Sequence, residues 1–318
     1  MSLLSGVEDQ LRPLRSFLFP QRVYLQLEDQ AITAMALQGG RVTWLERVLL
    51  PLSLCKAGEP RRLDALADLI GDLLVERGFS GASVVATLPP DAAQVRLVRW
   101  ASGQLPADPE LLLARFQRTL RLPALWHDLD LLRRDLPGDP AASLVAAVPT
   151  ALLESWIAVF SLAAVRLERL ESVQLCLCRA LQPLLEQAPV ENGLIFVLQL
   201  EAWGSALLVI EDGWPVFQRQ LASSQDPGAL MTDLRDCRDF LQQLWPDRPG
   251  PPLLLLHGAD LVTAEEAAAL GAALGWPCQR LDAFERGWLR NGIPPGDDPP
   301  AVGSLLVLWG LAMVEQGA

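Results

Sequence analysis

The sequence predicts a duplicated α/β protein, two related halves facing each other across a cleft. Three observations carry that expectation. The stretch from Val23 to Leu45 returns in altered form from Phe196 to Gln218, and Leu25-Gln26-Leu27-Glu28 falls on Leu198-Gln199-Leu200-Glu201 without a gap. The same offset sets the turn Gly39-Gly40 on Asp212-Gly213. Each copy reads as a buried strand, a tight crossing, a second strand, a two-residue hairpin turn and a third strand. Between the copies, the Pro, Asn and Gly of Gln187–Gly193 mark a boundary.

Taken in order, residues 3–18 place Leu3, Leu4, Val7, Leu11, Leu14, Phe17 and Leu18 at helical spacing among Glu8, Asp9, Arg12 and Arg15. That is an amphipathic helix, docked on the body, on a second subunit, or at a membrane interface. After the first three-strand unit, 61–77 reads as a helix with Leu63, Leu66, Leu69, Ile70, Leu73 and Leu74 inward and Gly78 as its C-cap. Ala82–Pro89 is a central strand, and the alternation in Gln94–Trp100 marks a half-exposed one with Arg96 and Trp100 on one face.

Pro109 opens a helix running to Leu120, and His127–Arg133 and Ala142–Pro149 follow as strands. Thr150 is expected to cap a helix carrying Leu152, Leu153, Trp156, Ile157 and Phe160. An extended segment, Leu167–Val173, and a helix, Leu175–Leu185, complete the first half. In the second half, the repeated strands lead into a helix at 229–244, a strand at 253–260, an alanine-rich helix at 264–274, a short strand at 278–281 and a closing helix at 302–315. The expected division is a helix at 1–20, a first domain at 21–188 with an inserted subdomain at about 90–150, and a second domain at 189–318.

Composition excludes several functions. Of 318 residues 51% are apolar and 20% charged, which is a globular balance, and the net charge of −12 argues against nucleic acid or an acidic bilayer as the driving partner. Lys56 is the single lysine, so there is no Gly-x-x-x-x-Gly-Lys phosphate loop and no second lysine for a Schiff base. Cys55, Cys176, Cys178, Cys237 and Cys278 lack Cys-x-x-Cys spacing and read as buried free thiols, and with His127 and His257 as the only histidines no metal site or metal cofactor is expected. His257 itself reads as a satisfied strand-end histidine, and Arg219 as a surface or cleft-rim charge. No apolar stretch reaches the length of a membrane span and the N-terminus has no signal pattern, so a cytoplasmic location is expected. Gly-x-Ser-x-Gly, Gly-x-Gly-x-x-Gly and His-Glu-x-x-His are absent from the sequence.

In this order of elements, from about residue 20 to the C-terminus, the chain resembles the actin-like ATPase superfamily, and within it the PilM family of type IV pilus assembly, close to the FtsA-like proteins. The phosphate motif of that family, Ile-Asp-Ile-Gly-Ser-Ser-Ser-x-Lys, falls on Leu25 to Thr33, and its second Asp-Ile-Gly falls on Gln199-Leu200-Glu201. A nucleotide-binding Gly-Gly turn falls on His257-Gly258-Ala259. Other segments match better: the hairpin Asp212-Gly213-Trp214-Pro215-Val216-Phe217-Gln218-Arg219, then Ala146–Pro149, Leu170–Val173 and Trp309–Ala312.

The resemblance implies an actin-like, ribonuclease H-like fold whose cleft has lost its chemistry. Gln26 and Gln199 are neutral where the family has metal-binding and water-activating aspartates, Glu28 adds charge and bulk where backbone N–H groups would approach phosphate, and Thr33 stands at the motif lysine. Glu201, His257 and Gly258 complete the degenerate cleft positions. What the resemblance implies is therefore a non-catalytic scaffold without a bound cofactor, peripheral to the inner membrane. It would bind the short cytoplasmic tail of a single-span partner of the PilN type, with self-association a further prospect. Arg96, Trp100, Phe116 and Arg118 are the expected groove residues. The alternatives are a divergent ATP-binding relative and the cytoplasmic part of a GspL-like secretion component.

Overall fold

The computed structural model describes residues 21–99, 129–136, 139–187, 193–200, 204–246, 250–258, 263–292 and 305–314. The expected helices at 3–18 and 109–120 lie outside these residues, as do Glu201, Trp100, Phe116 and Arg118.

Both copies of the repeated unit fold as the sequence predicts. In the first, β1 (Arg22–Leu27), β2 (Ala31–Gln38) and β3 (Arg41–Leu49) pair antiparallel in succession. In the second, β11 (Leu194–Leu200), β12 (Ser205–Glu211) and β13 (Trp214–Leu221) do the same. Gly39 and Gly40 have φ of +57° and +74°, and Asp212 and Gly213 have +50° and +85°. Positive φ at both central positions lets a two-residue turn follow the strands' own twist. The correspondence extends to a flaw: a β-bulge falls at Ala36/Leu37 in one copy and at Val209/Ile210, the same offset, in the other.

Each unit then gains two parallel strands. In the first half these are β6 (Ser83–Thr87) and β10 (Arg166–Glu171), giving the order β10-β6-β1-β2-β3. In the second they are β14 (Leu253–Gly258) and β15 (Cys278–Arg280), giving β13-β12-β11-β14-β15. The two sheets therefore share one topology, and parallel neighbours require the helical crossovers found between them.

Helices cover the outer faces. α1 (Leu63–Glu76) and α2 (Thr150–Leu162) pack on the first sheet, with Leu66, Ile70, Leu74, Trp156 and Phe160 buried against Val23, Leu25 and Leu27. Gly78 ends α1 at φ +76° as expected. Two expectations fail on α2. Thr150 is its first residue and makes no capping bond, because Pro149 at φ −60° takes the cap position. Ile157 points outward, 48% exposed, while Val159 is buried. After α3 (Val173–Gln187), α4 (Pro227–Leu244) and α5 (Ala264–Leu274) cover the second sheet around Phe196, Leu198, Leu234, Leu256 and Trp276.

A third core joins the halves. Tyr24, Met35 and Val85 of the first sheet and Ile195, Val197 and Leu255 of the second enclose α3 and α6 (Leu306–Met313). Every residue of α6 from Leu306 to Ala312 is buried, as a helix apolar on all sides must be. The C-terminal part touches both halves. The short β16 (Arg290–Asn291) pairs parallel with β3 of the first sheet, and α6 packs on α3.

Between β6 and α2 lies the expected subdomain, whose described part is a three-stranded sheet of β7 (Gln94–Arg99), β9 (Asp139–Pro149) and β8 (Leu129–Leu136), with β9 in the middle. A small hairpin, β4 (Cys55–Lys56) with β5 (Glu59–Pro60), leads into α1.

Candidate functional site at the cleft between the sheets

The cleft lies at the carboxyl ends of β1, β11 and β14, where ligands of open α/β sheets collect. Strand alternation aims the expected residues there. On β1, Val23, Leu25 and Leu27 face the first outer core while Tyr24 faces the central one, so Gln26 points inward with Tyr24. On β11 and β14, Val197 and Leu255 belong to the central core, which puts Gln199 and His257 on the same side. The structure therefore brings Gln26, Glu28, Thr33, Gln199 and His257 together; Glu201 lies outside the described residues.

The centre of this arrangement is the Glu28 carboxylate. Glu28 is 3% exposed and follows the end of β1 in the tight crossing, where its N–H donates to Ala31 O at 3.0 Å. Gln26 Nε2 donates to Oε1 at 2.9 Å, and Gln199 Nε2 reaches the same oxygen from the other half at 3.4 Å. Arg47 donates to Oε2 at 2.9 Å in an ion pair with both side chains largely buried. An amide from each half and one guanidinium thus surround a carboxylate at the phosphate-facing position of the resembled motif. The charge-assisted bonds are the strong members of that set.

Arg47 is the functional residue that sequence reasoning missed. It stands in a row across three strands, Gln26 opposite Thr33 on β2 and Thr33 opposite Arg47 on β3. Counting back from the Gly39-Gly40 turn in perfect register would put Glu46 opposite Thr33. The bulge at Ala36/Leu37 shifts the pairing by one and delivers the arginine. The bulge is the signal, and it is not legible in the residues alone.

The neighbouring positions are equally filled. Asp29 turns away from the cleft and accepts from Ala57 N at 2.6 Å and Gly58 N at 2.8 Å, fixing the β4–β5 hairpin. Thr87, buried at the end of β6, accepts from Leu27 N at 3.2 Å. Gly258 is needed for a close approach of protein rather than ligand, since a Cβ there would lie 2.0 Å from the Leu200 carbonyl oxygen. The N-terminus of α5 is capped internally by Thr263 and Glu266, whose side chains bond to each other's backbone N–H.

His257 differs from expectation. It pairs with Gln199 across the parallel strands and is 6% exposed, but its Nε2 has no hydrogen-bond partner. Burial lowers its pKa to about 4, so it is neutral at pH 7. Strand register, and not the surrounding sequence, put this nitrogen in a dry position. Arg219 is partly exposed and turned to α4, 3.8 Å from Asp233. Of the expected groove residues, Arg96 is described: half-buried in the middle of β7, it contacts Gln94 at 3.5 Å. Among the described residues no group of three His, Cys, Asp or Glu side chains is placed to hold a metal ion.

Further contacts close the halves on each other. Gln174 of α3 bonds Gln218 of β13 at 2.5 Å and the Ala93 carbonyl at 3.2 Å, and Gln218 reaches the Pro90 carbonyl at 3.3 Å. Gln220 donates to Asp91. Arg99 at the end of β7 meets the buried Glu211 at 2.6 Å.

No family model and no curated protein matches the chain. Solved structures do. The PilM-PilN type IV pilus biogenesis complex matches with a TM-score of 0.68 at 18% identity, covering 92% of this chain and 98% of that one. A Bacteroides thetaiotaomicron protein with an actin-like ATPase fold and unknown function matches with a TM-score of 0.50 at 10% identity, over 81% and 89% of the two chains. The cytoplasmic domain of EpsL, an inner membrane component of the Vibrio cholerae type II secretion system, reaches 0.49 at 12% identity over 93% and 95%, too distant to bear on function. With its duplicated sheets, inserted subdomain and central cleft, this chain has the actin-like fold.

Proposed function

We propose that this chain is a non-catalytic scaffold of a bacterial type IV pilus or related secretion assembly, and that it holds the short cytoplasmic tail of a single-span inner-membrane partner of the PilN type. One observation carries the non-catalytic part of that reading. Glu28, bonded by Gln26, Gln199 and Arg47, is a protein anion lodged where a nucleotide's phosphates would stand. A second anion there would meet like charge and would have to displace a buried ion pair. Gln26 and Gln199 supply no carboxylate for a metal-bound phosphate or an attacking water.

The likeness to the solved PilM-PilN complex supports the partner class. In this reading the extended tail lies in a groove beside the inserted sheet of β7, β9 and β8 and adds to a strand edge there. Arg96 lies on β7, and Trp100, Phe116 and Arg118 are proposed from the sequence as further contacts of the tail. The protein sits in the cytoplasm, held to the inner membrane by its partner; no described helix is long and apolar enough to cross one.

Two measurements test the reading. Titration with a PilN-type tail peptide should give saturable binding that weakens about tenfold in Arg96→Glu and Trp100→Ala, a loss of about 1.4 kcal/mol; unchanged affinity in both variants removes the groove. Calorimetry with Mg-ATP should show no binding tighter than about 100 μM, roughly −5.5 kcal/mol. Tighter binding would put a divergent ATPase in place of the scaffold.

A further inference from the structure

Two sheets end side by side. β7 is the last strand of the inserted sheet, β13 is the last strand of the second sheet, and β7 lies against β13. Gln220 of β13 donates to Asp91, just before β7. Arg99, at the end of β7, meets Glu211 beside Trp214, at the turn that joins β12 to β13. Going from Asp91 to Arg99 along one edge thus runs from Gln220 back to Glu211 along the other, which sets the two strands antiparallel. They belong to different sheets all the same, and no strand pairing joins them among the described residues. Side chains bridge the seam.

The two ends of this seam are held differently. At the Asp91 end the chain is fixed to the body. Leu88, Ala92 and Ala93 are buried in the outer core of the first half, and Gly58 packs so closely on Ala92 that a Cβ would come within 2.8 Å of its nitrogen. Gln174 holds the Ala93 carbonyl and Gln218 the Pro90 carbonyl. Beyond that end, no residue of β7 belongs to the three apolar cores. The Arg99 end is closed by an ion pair between a carboxylate 3% exposed and a guanidinium 55% exposed. Burying Glu211 offsets much of what that bond gains, and half of Arg99 stays in water, so the net stabilisation of the closed end is small.

We propose that the inserted subdomain is a hinged cover that turns on the fixed Asp91–Ala93 end, with Arg99–Glu211 as its latch, and that opening it bares the facing edges of β7 and β13. An interface bridged by polar side chains is the kind across which domains move. The halves stay joined meanwhile, because the central core around α3 and α6 contains no residue of the inserted sheet. An uncovered strand edge is a template for an added strand. The closed latch therefore keeps two such edges from pairing with other chains. Opening of this kind needs neither a nucleotide nor the partner tail.

The test measures distances between spin labels on the full chain, with the half-buried Cys278 changed to serine so that introduced cysteines take the label. Asp130→Cys on β8 and Arg235→Cys on α4, both exposed, report the cover against the second half. Asp68→Cys on α1, also exposed, paired with Arg235→Cys reports the two halves against each other. With the latch intact the first pair should give one main distance. Arg99→Gln should raise the share of a longer distance at least about fivefold, and Arg99→Lys should restore the main one. Gln220→Ala, at the fixed end, should leave it unchanged, and the distance between the halves should hold throughout. Circular dichroism verifies that the variants fold, and salt on the unaltered latch is an independent arm. Screening weakens a pair whose cation is exposed, so the longer share should rise with salt. An unchanged single distance in Arg99→Gln and at high salt overturns the proposal. So does equal opening by Gln220→Ala, and so does movement of both label pairs together, which would make the halves themselves the moving parts.

Discussion

Gln199 Nε2 lies 3.4 Å from Glu28 Oε1, so an amide on the second sheet is bonded to a carboxylate on the first. The same oxygen takes Gln26, and Arg47 takes the other. The cleft is thus held by its own side chains. Arg47→Met should cost about 3–5 kcal/mol, because it leaves the Glu28 charge buried without its cation. Adding Glu28→Gln to that variant should recover most of the loss. Denaturant unfolding of the two singles and the double measures the coupling; additive losses would mean that the pair contributes nothing as a pair.

Gly310 meets Cys176. A Cβ on Gly310 would lie 1.8 Å from the Cys176 carbonyl oxygen, so α6 and α3 touch backbone to backbone in the central core. Gly310→Ala should therefore destabilise by about 3 kcal/mol or more. Gly39→Ala is the control: it has positive φ and open space around it, and should cost only about 1 kcal/mol. Thermal melts of both variants compare the two, and equal losses would contradict the close crossing.

His257 sets an acid limit. Its folded pKa, lowered to about 4 by burial, lies below the ordinary value of 6.5. Between those values the unfolded chain binds the proton and the folded chain does not, so stability falls as pH drops from about 6.5 toward 4. The loss is about 3 kcal/mol at pH 4. His257→Gln should flatten that part of a stability-against-pH curve, and an unchanged slope would place the acid sensitivity elsewhere.

The thiols should be inert in the native state. Cys55, Cys176, Cys178 and Cys237 are buried and burial raises the pKa of each, while the half-buried Cys278 is pushed up to about 11. Thiolate is the reactive form, so a disulfide reagent at pH 8 should label them only as fast as the protein opens. Rapid stoichiometric labelling without unfolding would contradict their burial.

Much of the fold was legible because apolar alternation and turn residues are local. The three strands of each unit, both hairpin turns and the helix ending at Gly78 follow from residues close in sequence, and the repeat set Gln26 and Gln199 at matching positions of the two halves. What escaped depends on distant partners. The β4–β5 hairpin carries no apolar alternation and is made by Asp29, far back in the chain. β16 is two residues long and exists through its pairing with β3. Ile157 and Val159 are equally apolar, and only the angle at which α2 meets the sheet decides which is buried.

The sequence by itself determined that the protein is duplicated and that both aspartate positions of the resembled cleft carry glutamine, since identity and order need no coordinates. It did not determine what Glu28 faces. That was decided by a one-residue bulge at Ala36/Leu37, because side chains on a strand alternate between faces and pairing register sets which residue stands opposite which. With the bulge, Arg47 meets Glu28; without it, Glu46 would take its place in the row and the cleft would hold two like charges.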